Sequence, residues 1–341
     1  MDHKSNFKVC VTGGEGFVGS WLIKKLLDKG YIVHTTLRPN LEDKSKVDLL
    51  KSLPGAETRL IFFEAEIYDP DTFENAIQGC DFVFHVATPL QHIDGYLYKN
   101  VVEACVGAAK KIASFCVKSG TVKRLIYTAS VLCASPLKED GSAGYKDSID
   151  ETCYTPPDHP LTCHNEYLRV YIESKMKSEK ELLSYGSSGL EVVALALGVV
   201  AGDTNLPYSS TPVSVIGGLC QLTNNEYVYQ TLRDTEEILG KLPLVHIDDV
   251  CEAHIFCMEK PSMSGRFFCT NVFVSSAEIA SCLQQNYPEF HIKQEYLDVP
   301  KREIKWGGTK LEEKGFEYNY DLKMILDDSI KCGRKSGYLP Q

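Results

Sequence analysis

The sequence predicts an α/β chain: a parallel sheet wound with helices on both faces, followed by a smaller C-terminal lobe. Three observations predict it. Short β-branched runs alternate with helix-period stretches through the first half. A glycine-rich turn joins the first apolar run to the first helical one. Beyond Gly202 the hydrophobic segments shorten, and Pro207, Pro212 and the pair Gly217 and Gly218 punctuate the pattern.

The strands expected in order are 8–12, 32–37, 60–64, 82–86 and 124–128, with a sixth at 190–197. Helical periodicity falls at 17–29, 71–78, 98–118 and 167–184. Later, LPLVHIDDVCEAHIFCMEK reads as a strand running into an amphipathic helix, and YDLKMILDDSIKCGRKSG as a closing helix. The domain reading is a nucleotide-binding unit over 1–190, to which 228–262 returns, and a smaller lobe from 191–227 and 263–341.

Bulk properties exclude several classes of partner. The 341 residues are 43% hydrophobic and 24% charged, enough for a full core, and the formal net charge of -10 disfavours nucleic acid and anionic membrane surfaces. No apolar run approaches the roughly eighteen residues that span a bilayer, and the N-terminus lacks a signal-peptide pattern. A cytoplasmic location is therefore expected. Thirteen scattered cysteines within apolar runs read as small buried hydrophobes in a reducing compartment, and without a CxxC or HxxxH spacing no metal site is expected.

The segment VTGGEGFVGSWL places Gly13, Gly14, Gly16 and Gly19 between a strand and a helix. Glycines here allow positive φ in a tight turn and close backbone approach to a pyrophosphate, and Gly19 lets the helix pack against the strand. The amides at the helix start, with Phe17 and Val18, then face the phosphates. In that context the expected architecture is a Rossmann-type doubly wound sheet.

The end of the second strand chooses between dinucleotides. An acidic residue there accepts the ribose hydroxyls of NAD, whereas this chain has Thr35-Thr36-Leu37-Arg38. A guanidinium at that point suits a 2'-phosphate, and Lys44 or Lys46 can add a second charge, so the expected cofactor is NADPH/NADP+. Glu66, followed by Ile67 after the third strand, is a candidate for the adenine edge or a helix-entry carboxylate.

Tyr171 and Lys175 lie four apart on an expected helix, so both project from one face. An ammonium beside a phenol favours its phenolate, giving a group able to pass a proton to or from a carbonyl oxygen as hydride moves. With 18 tyrosines about one chance Y-x-x-x-K match is expected, but this one follows the fifth strand, which delivers Thr128 and Ser130 to the carboxyl edge of the sheet. Ser130 is read as the hydroxyl that polarises the substrate oxygen. His246 with Asp248 and Asp249 is read as a strand-to-helix junction with an Asp N-cap, and His85 as structural.

These residues, with TTLRP, FHVATP, TVKRLIYTAS, YIESK, VHIDDVCEAHIF and GFEYNYDL, resemble the plant dihydroflavonol 4-reductase and anthocyanidin reductase group of extended short-chain dehydrogenases. The group includes vestitone reductase and toxin-reducing relatives, and the resemblance covers nearly the whole chain. It implies NADPH on Gly13, Gly16, Phe17, Val18, Arg38 and Lys44, with Val86, Ala87 and Thr88 along its ribose and phosphates, and Gly198 and Val199 at the nicotinamide amide. It places the catalytic triad on Ser130, Tyr171 and Lys175, with Thr88, Pro89, Val131 and Ser135 as further substrate candidates. Two departures concern the substrate: Leu197-Gly198 replaces a Pro-Thr step, and the stretch after Ser130 differs from that of dihydroflavonol reductases, which carry Asn or Asp near Ser135.

The expected function is hydride transfer from NADPH to a ketone, imine or conjugated group of a plant specialised metabolite, flavonoid-like or alkaloid-like. Alternatives are a nucleotide-sugar epimerase or dehydratase, which would retain NAD, and a non-catalytic NADPH-binding regulator. The expected partner is a small carbonyl-type molecule.

Overall fold

The computed structural model describes residues 7–39, 44–89, 92–206, 226–290, 292, 294–297 and 302–340. In its first half β1 (Lys8–Thr12), α1 (Phe17–Asp28), β2 (Ile32–Leu37), α2 (Lys44–Lys51), α3 (Ala56–Arg59), β3 (Leu60–Glu64), α4 (Glu74–Ile77), β4 (Phe82–His85), α5 (Val101–Ser119) and β5 (Arg124–Ser130) alternate as expected. There follow β6 (Ser148–Ile149), α6 (Pro160–Cys163), α7 (Glu166–Ser184), β7 (Glu191–Leu197), β8 (Val199–Ala201), β9 (Leu242–His246), β10 (Gly265–Cys269), β11 (Val272–Val274) and β12 (Lys305–Trp306).

The main sheet has seven strands in the order β10-β7-β5-β4-β1-β2-β3. The pairs β3 with β2, β2 with β1, β1 with β4 and β4 with β5 are parallel. Chain order thus runs outward from β1 in one direction, then crosses to β4 and runs outward in the other. The carboxyl ends of β1 and β4 form the switch point at which doubly wound sheets bind ligands.

One side chain stitches that point together. The amides of Val86 and Ala87 both donate to Thr12 Oγ1 at 3.0 Å, where the chain leaves β4. Because Val86 spends its amide on this hydroxyl, β4 ends at His85, one residue short of the sequence expectation.

Other boundaries shift for equally local reasons. The expected helix at 98–118 begins at Val101 because Asn100 caps it, its side chain accepting from Glu103 N at 2.9 Å, and it ends at Gly120 with φ +67°. The expected helix at 71–78 is a 3-10 turn, Pro70–Phe73, followed by the single α-turn of α4. Pro70 takes the first helical position, where its missing amide costs no hydrogen bond. Pro207, Pro212, Gly217 and Gly218 lie outside the described residues.

The chain divides into two compact units, one of residues 1–129, 173–195 and 251–266, the other of 130–172, 196–250 and 267–341. Residues 130–172 group with the second unit, and the chain passes between units within β5, α7 and β7. The first unit has its core between sheet and helices, with Val9, Val11, Ile23, Leu26, Phe84 and Ile112 fully buried.

The same unit buries the guanidinium of Arg124. Its guanidinium donates to the carbonyls of Cys257 at 2.5 Å, Met258 at 3.1 Å and Lys260 at 2.9 Å, and its Nε to Glu191 at 2.9 Å. These carbonyls end the helix Ile247–Glu259, where the helix dipole is negative and the last C=O groups lack helical partners.

In the second unit β8 pairs parallel with β9, and β9 antiparallel with β11. Leu242 and Leu244 of β9 pack in one core with Leu232, Ile279, Leu283, Ile325, Leu326 and Ile330. The last helix, Leu322–Lys335, is capped by Asp321, whose side chain accepts from Met324 N at 2.9 Å.

Candidate functional site

The glycine turn follows directly from sequence. Gly13 has φ +71°, and a Cβ there would also sit 3.0–3.2 Å from Ala87. A Cβ on Gly14 would overlap Thr35 Oγ1 and Ile23, and one on Gly19 would lie 2.3 Å from the Gly13 carbonyl oxygen. Gly19 therefore seats α1 on the turn itself, not on the strand as the sequence reading expects. Gly16 caps α1 without a side-chain hydrogen bond, and no acidic residue occupies the first turn, which includes Phe17 and Val18. Helix amides facing outward with neither cap nor carboxylate suit a phosphate, so the turn fits a dinucleotide.

The turn is tied to the end of β2. Gly13 N donates to Thr36 Oγ1 at 3.1 Å and Gly14 N to Thr36 O at 3.0 Å, two residues before Arg38. Arg38 is an exposed side chain, and its Nε donates to Glu15 Oε1 at 3.1 Å. Lys44 and Lys46 lie in α2. Glu66 is buried, its Oε1 accepting from Tyr68 N at 3.5 Å while its own amide donates to Thr72 Oγ1 at 3.0 Å; Ile67 is buried beside it. Val86, Ala87, Thr88 and Pro89 follow β4, half-buried.

Of the expected catalytic groups, Lys175 is held against β5 and Ser130 ends that strand. Lys175, buried in α7, donates from Nζ to the Thr128 carbonyl at 2.8 Å and lies 5.1 Å from the Tyr127 ring. Tyr171, half-buried, is one turn earlier on that helix. The Thr128 hydroxyl pairs with His254 Nε2 at 2.9 Å, so Thr128 meets Lys175 through its backbone.

Ser130 ends β5, and its Oγ accepts from Leu132 N at 3.2 Å. A hydroxyl has one donor, and accepting from Leu132 leaves that proton available for a ligand oxygen. The turn after Ser130 reaches α7 where Cys133 Sγ contacts the Ile172 carbonyl at 3.7 Å, next to Tyr171. Val131 is buried, and Ser135 is fully buried with its Oγ accepting from Leu137 N at 3.4 Å. Gly198 has no room for a Cβ, which would lie 2.6 Å from Pro243 O and 2.8 Å from Thr270 Oγ1; Val199 begins β8.

His85 is a neutral structural group. The Thr12 hydroxyl already accepts from Val86 N and Ala87 N, so its proton points to His85 Nδ1 at 3.1 Å, which must then be an acceptor. Burial, aided by the Lys175 ammonium, pushes the His85 pKa down to about 3. The unfolded histidine takes its proton at 6.5 and the folded one only near 3, so between these values the unfolded chain binds more protons. Stability is complete above pH 6.5 and falls on acidification, by up to roughly 1.4 kcal/mol per pH unit from this group. His85→Asn keeps an acceptor toward Thr12 and cannot titrate. Urea melts from pH 7 to pH 4 should show a shallower loss in the variant; an unchanged slope removes His85 from the account.

The junction His246-Asp248-Asp249 is structural, with a division of labour the sequence did not foretell. The expected Asp N-cap is replaced by the His246 ring, whose Nδ1 accepts from Asp248 N at 3.1 Å while the ring stacks on Tyr320 at 3.6 Å. Asp249, fully buried, accepts from the amides of Asn319 at 3.0 Å and Tyr320 at 3.2 Å. Burial lowers the His246 pKa and raises that of Asp249. Most described cysteines are buried, and no cluster of His, Cys, Asp or Glu able to hold a metal occurs among the described residues. Among those residues, no helix is long and apolar enough to cross a membrane.

Sequence reasoning missed Thr12, His254 and Glu15. Thr12 and His254 lie in motifs already singled out, but their roles depend on partners 73 and 126 residues away. Glu15 interrupts a run of glycines, a visible signal.

A seven-stranded sheet that reverses at β1 and β4, a glycine turn that leaves no room for a Cβ and a Tyr/Lys helix laid against β5 define an extended short-chain dehydrogenase/reductase. The chain belongs to the NAD dependent epimerase/dehydratase family, whose model matches residues 9–268. It is 36% identical to vestitone reductase of Medicago sativa over 97% of this chain and 98% of that one. It is 33% identical to noscapine synthase SDR1 of Papaver somniferum, over 97% of this chain and 93% of that one. The crystal structure of vestitone reductase from alfalfa superposes with a TM-score of 0.80, covering 98% of this chain and all of that one at 33% identity. The expected resemblance to plant flavonoid-reducing enzymes is thereby borne out.

Proposed function

We propose that this chain is an NADPH-dependent cytosolic reductase that adds hydride to a ketone, imine or conjugated group of a plant specialised metabolite. The observation that carries this reading is the bond from Lys175 to the Thr128 carbonyl, which fixes α7 against the strand that ends in Ser130.

NADPH, when bound, supplies the hydride. Gly13, Gly14, Gly16 and Gly19 with the start of α1 would hold its phosphates, and Arg38 its 2'-phosphate. Val86, Ala87, Thr88, Gly198 and Val199 would hold it along their backbone, and Glu66 and Ile67 would take its adenine. Ser130 donates a hydrogen bond to the substrate oxygen, and Tyr171 donates the phenolic proton that neutralises it, one proton for each hydride accepted. Lys175 stabilises the phenolate left behind.

The relatives named above point to flavonoid-like and alkaloid-like substrates. The test is NADPH consumption across flavonoid, phenylpropanoid and alkaloid carbonyls, with the products identified. Stoichiometric reduction of at least one is the expected result. A purified protein that carries tightly held NAD and interconverts nucleotide sugars without net NADPH loss would overturn it.

A further inference from the structure

Glu15 sits inside the phosphate turn, between Gly14 and Gly16. Its side chain is only 8% exposed, against 57% for its partner Arg38, and it receives the Arg38 Nε hydrogen bond on Oε1. The other oxygen, Oε2, is buried and has no hydrogen-bond partner among the described residues. A buried carboxylate oxygen without a donor is an unfilled acceptor. The two bonds from the glycine turn to Thr36 hold Glu15 and Arg38 in fixed register at the end of β2, where the adenosine ribose of a dinucleotide lies in this fold.

The pairing also has a consequence for a phosphate. Arg38 meets Glu15 by its Nε edge, so its terminal nitrogens remain able to turn to an anion. A fixed negative charge nevertheless stands beside whatever anion they receive, and like charges at such range repel. A ribose hydroxyl suffers no such repulsion and brings the donor that Oε2 lacks.

We propose that Glu15 makes this a two-cofactor site. The Glu15 carboxylate, turned so that Oε2 faces the ribose, accepts the adenosine 2'-hydroxyl of NADH, the task that an acid at the end of the second strand performs in NAD sites, while Arg38 receives the 2'-phosphate of NADPH against the opposition of Glu15. The carboxylate sets how far the site prefers one dinucleotide to the other. This rests on the glycine turn being the dinucleotide site.

The experiment is equilibrium titration of the full-length protein with NADPH and NADH, and with the fragments 2',5'-ADP and 5'-AMP, by calorimetry. Wild type, Glu15→Gln, Glu15→Ala and Arg38→Ala are compared, with thermal melts to verify folding. Wild type is expected to bind NADH within about tenfold of NADPH. Both Glu15 variants should bind NADPH tighter and NADH weaker, moving the ratio of their dissociation constants by on the order of tenfold. Arg38→Ala should lose NADPH and 2',5'-ADP and spare NADH. A ratio unmoved by both Glu15 variants overturns the proposal. So does a larger loss of NADPH than of NADH, which would make Glu15 a mere anchor for Arg38. A wild type that binds neither dinucleotide instead overturns the reading of the turn, and this proposal with it.

Discussion

Tyr171→Phe is expected to bind NADPH as the parent does and to lose turnover by roughly 10²–10⁴-fold, the usual contribution of a positioned proton donor. The substitution keeps the ring of a half-buried residue in α7 and removes only its hydroxyl. Lys175 and Ser130 would still be present, the one bonded to Thr128 and the other turned by Leu132. Polarisation of the substrate oxygen therefore survives while its proton source does not. Steady-state kinetics on a substrate found in the carbonyl screen, alongside NADPH titration, checks this. Turnover within a few fold of the parent would remove Tyr171 from the proton-transfer role, whatever its neighbours do.

Arg124→Met should cost on the order of 3 kcal/mol, because buried carbonyls left without a donor cost about 1–3 kcal/mol each and the partly exposed Glu191 loses its cation. Methionine nearly fills the volume, so the loss is one of charge and donors. The carbonyls of Cys257, Met258 and Lys260 lose a common donor at a helix end, and Glu191 loses its cation. Of the carboxylate's partners the Ser262 hydroxyl remains, at 2.6 Å. Against a total stability of about 5–15 kcal/mol the change is large. Urea unfolding should show a lower midpoint at an unchanged slope, and a shift worth less than about 1 kcal/mol would mean that water replaces the guanidinium without penalty.

Arg124 shows where sequence reading stops. The segment TVKRLIYTAS is legible as a strand because its apolar residues and position after a helix identify it. An arginine at the start of a strand looks like any solvated charge. Only the return of residues 257–261 beside it turns it into a buried cation bonded to several carbonyls.

What the sequence determined by itself was whatever local chemistry dictates. Glycine spacing set the turn, with Gly13 at positive φ, and a four-residue interval put Tyr171 and Lys175 on one helical face. Alternation of strand and helix set the order of the sheet's elements. Tertiary structure alone decided which donors meet which acceptors across the chain: Thr12 with His85 and the amides after β4, Lys175 with the Thr128 carbonyl, Glu15 with Arg38. The reason is physical. Backbone preferences act between neighbours and leave a periodic trace, whereas a buried polar group has to find a partner wherever packing brings one, at a separation no local pattern encodes.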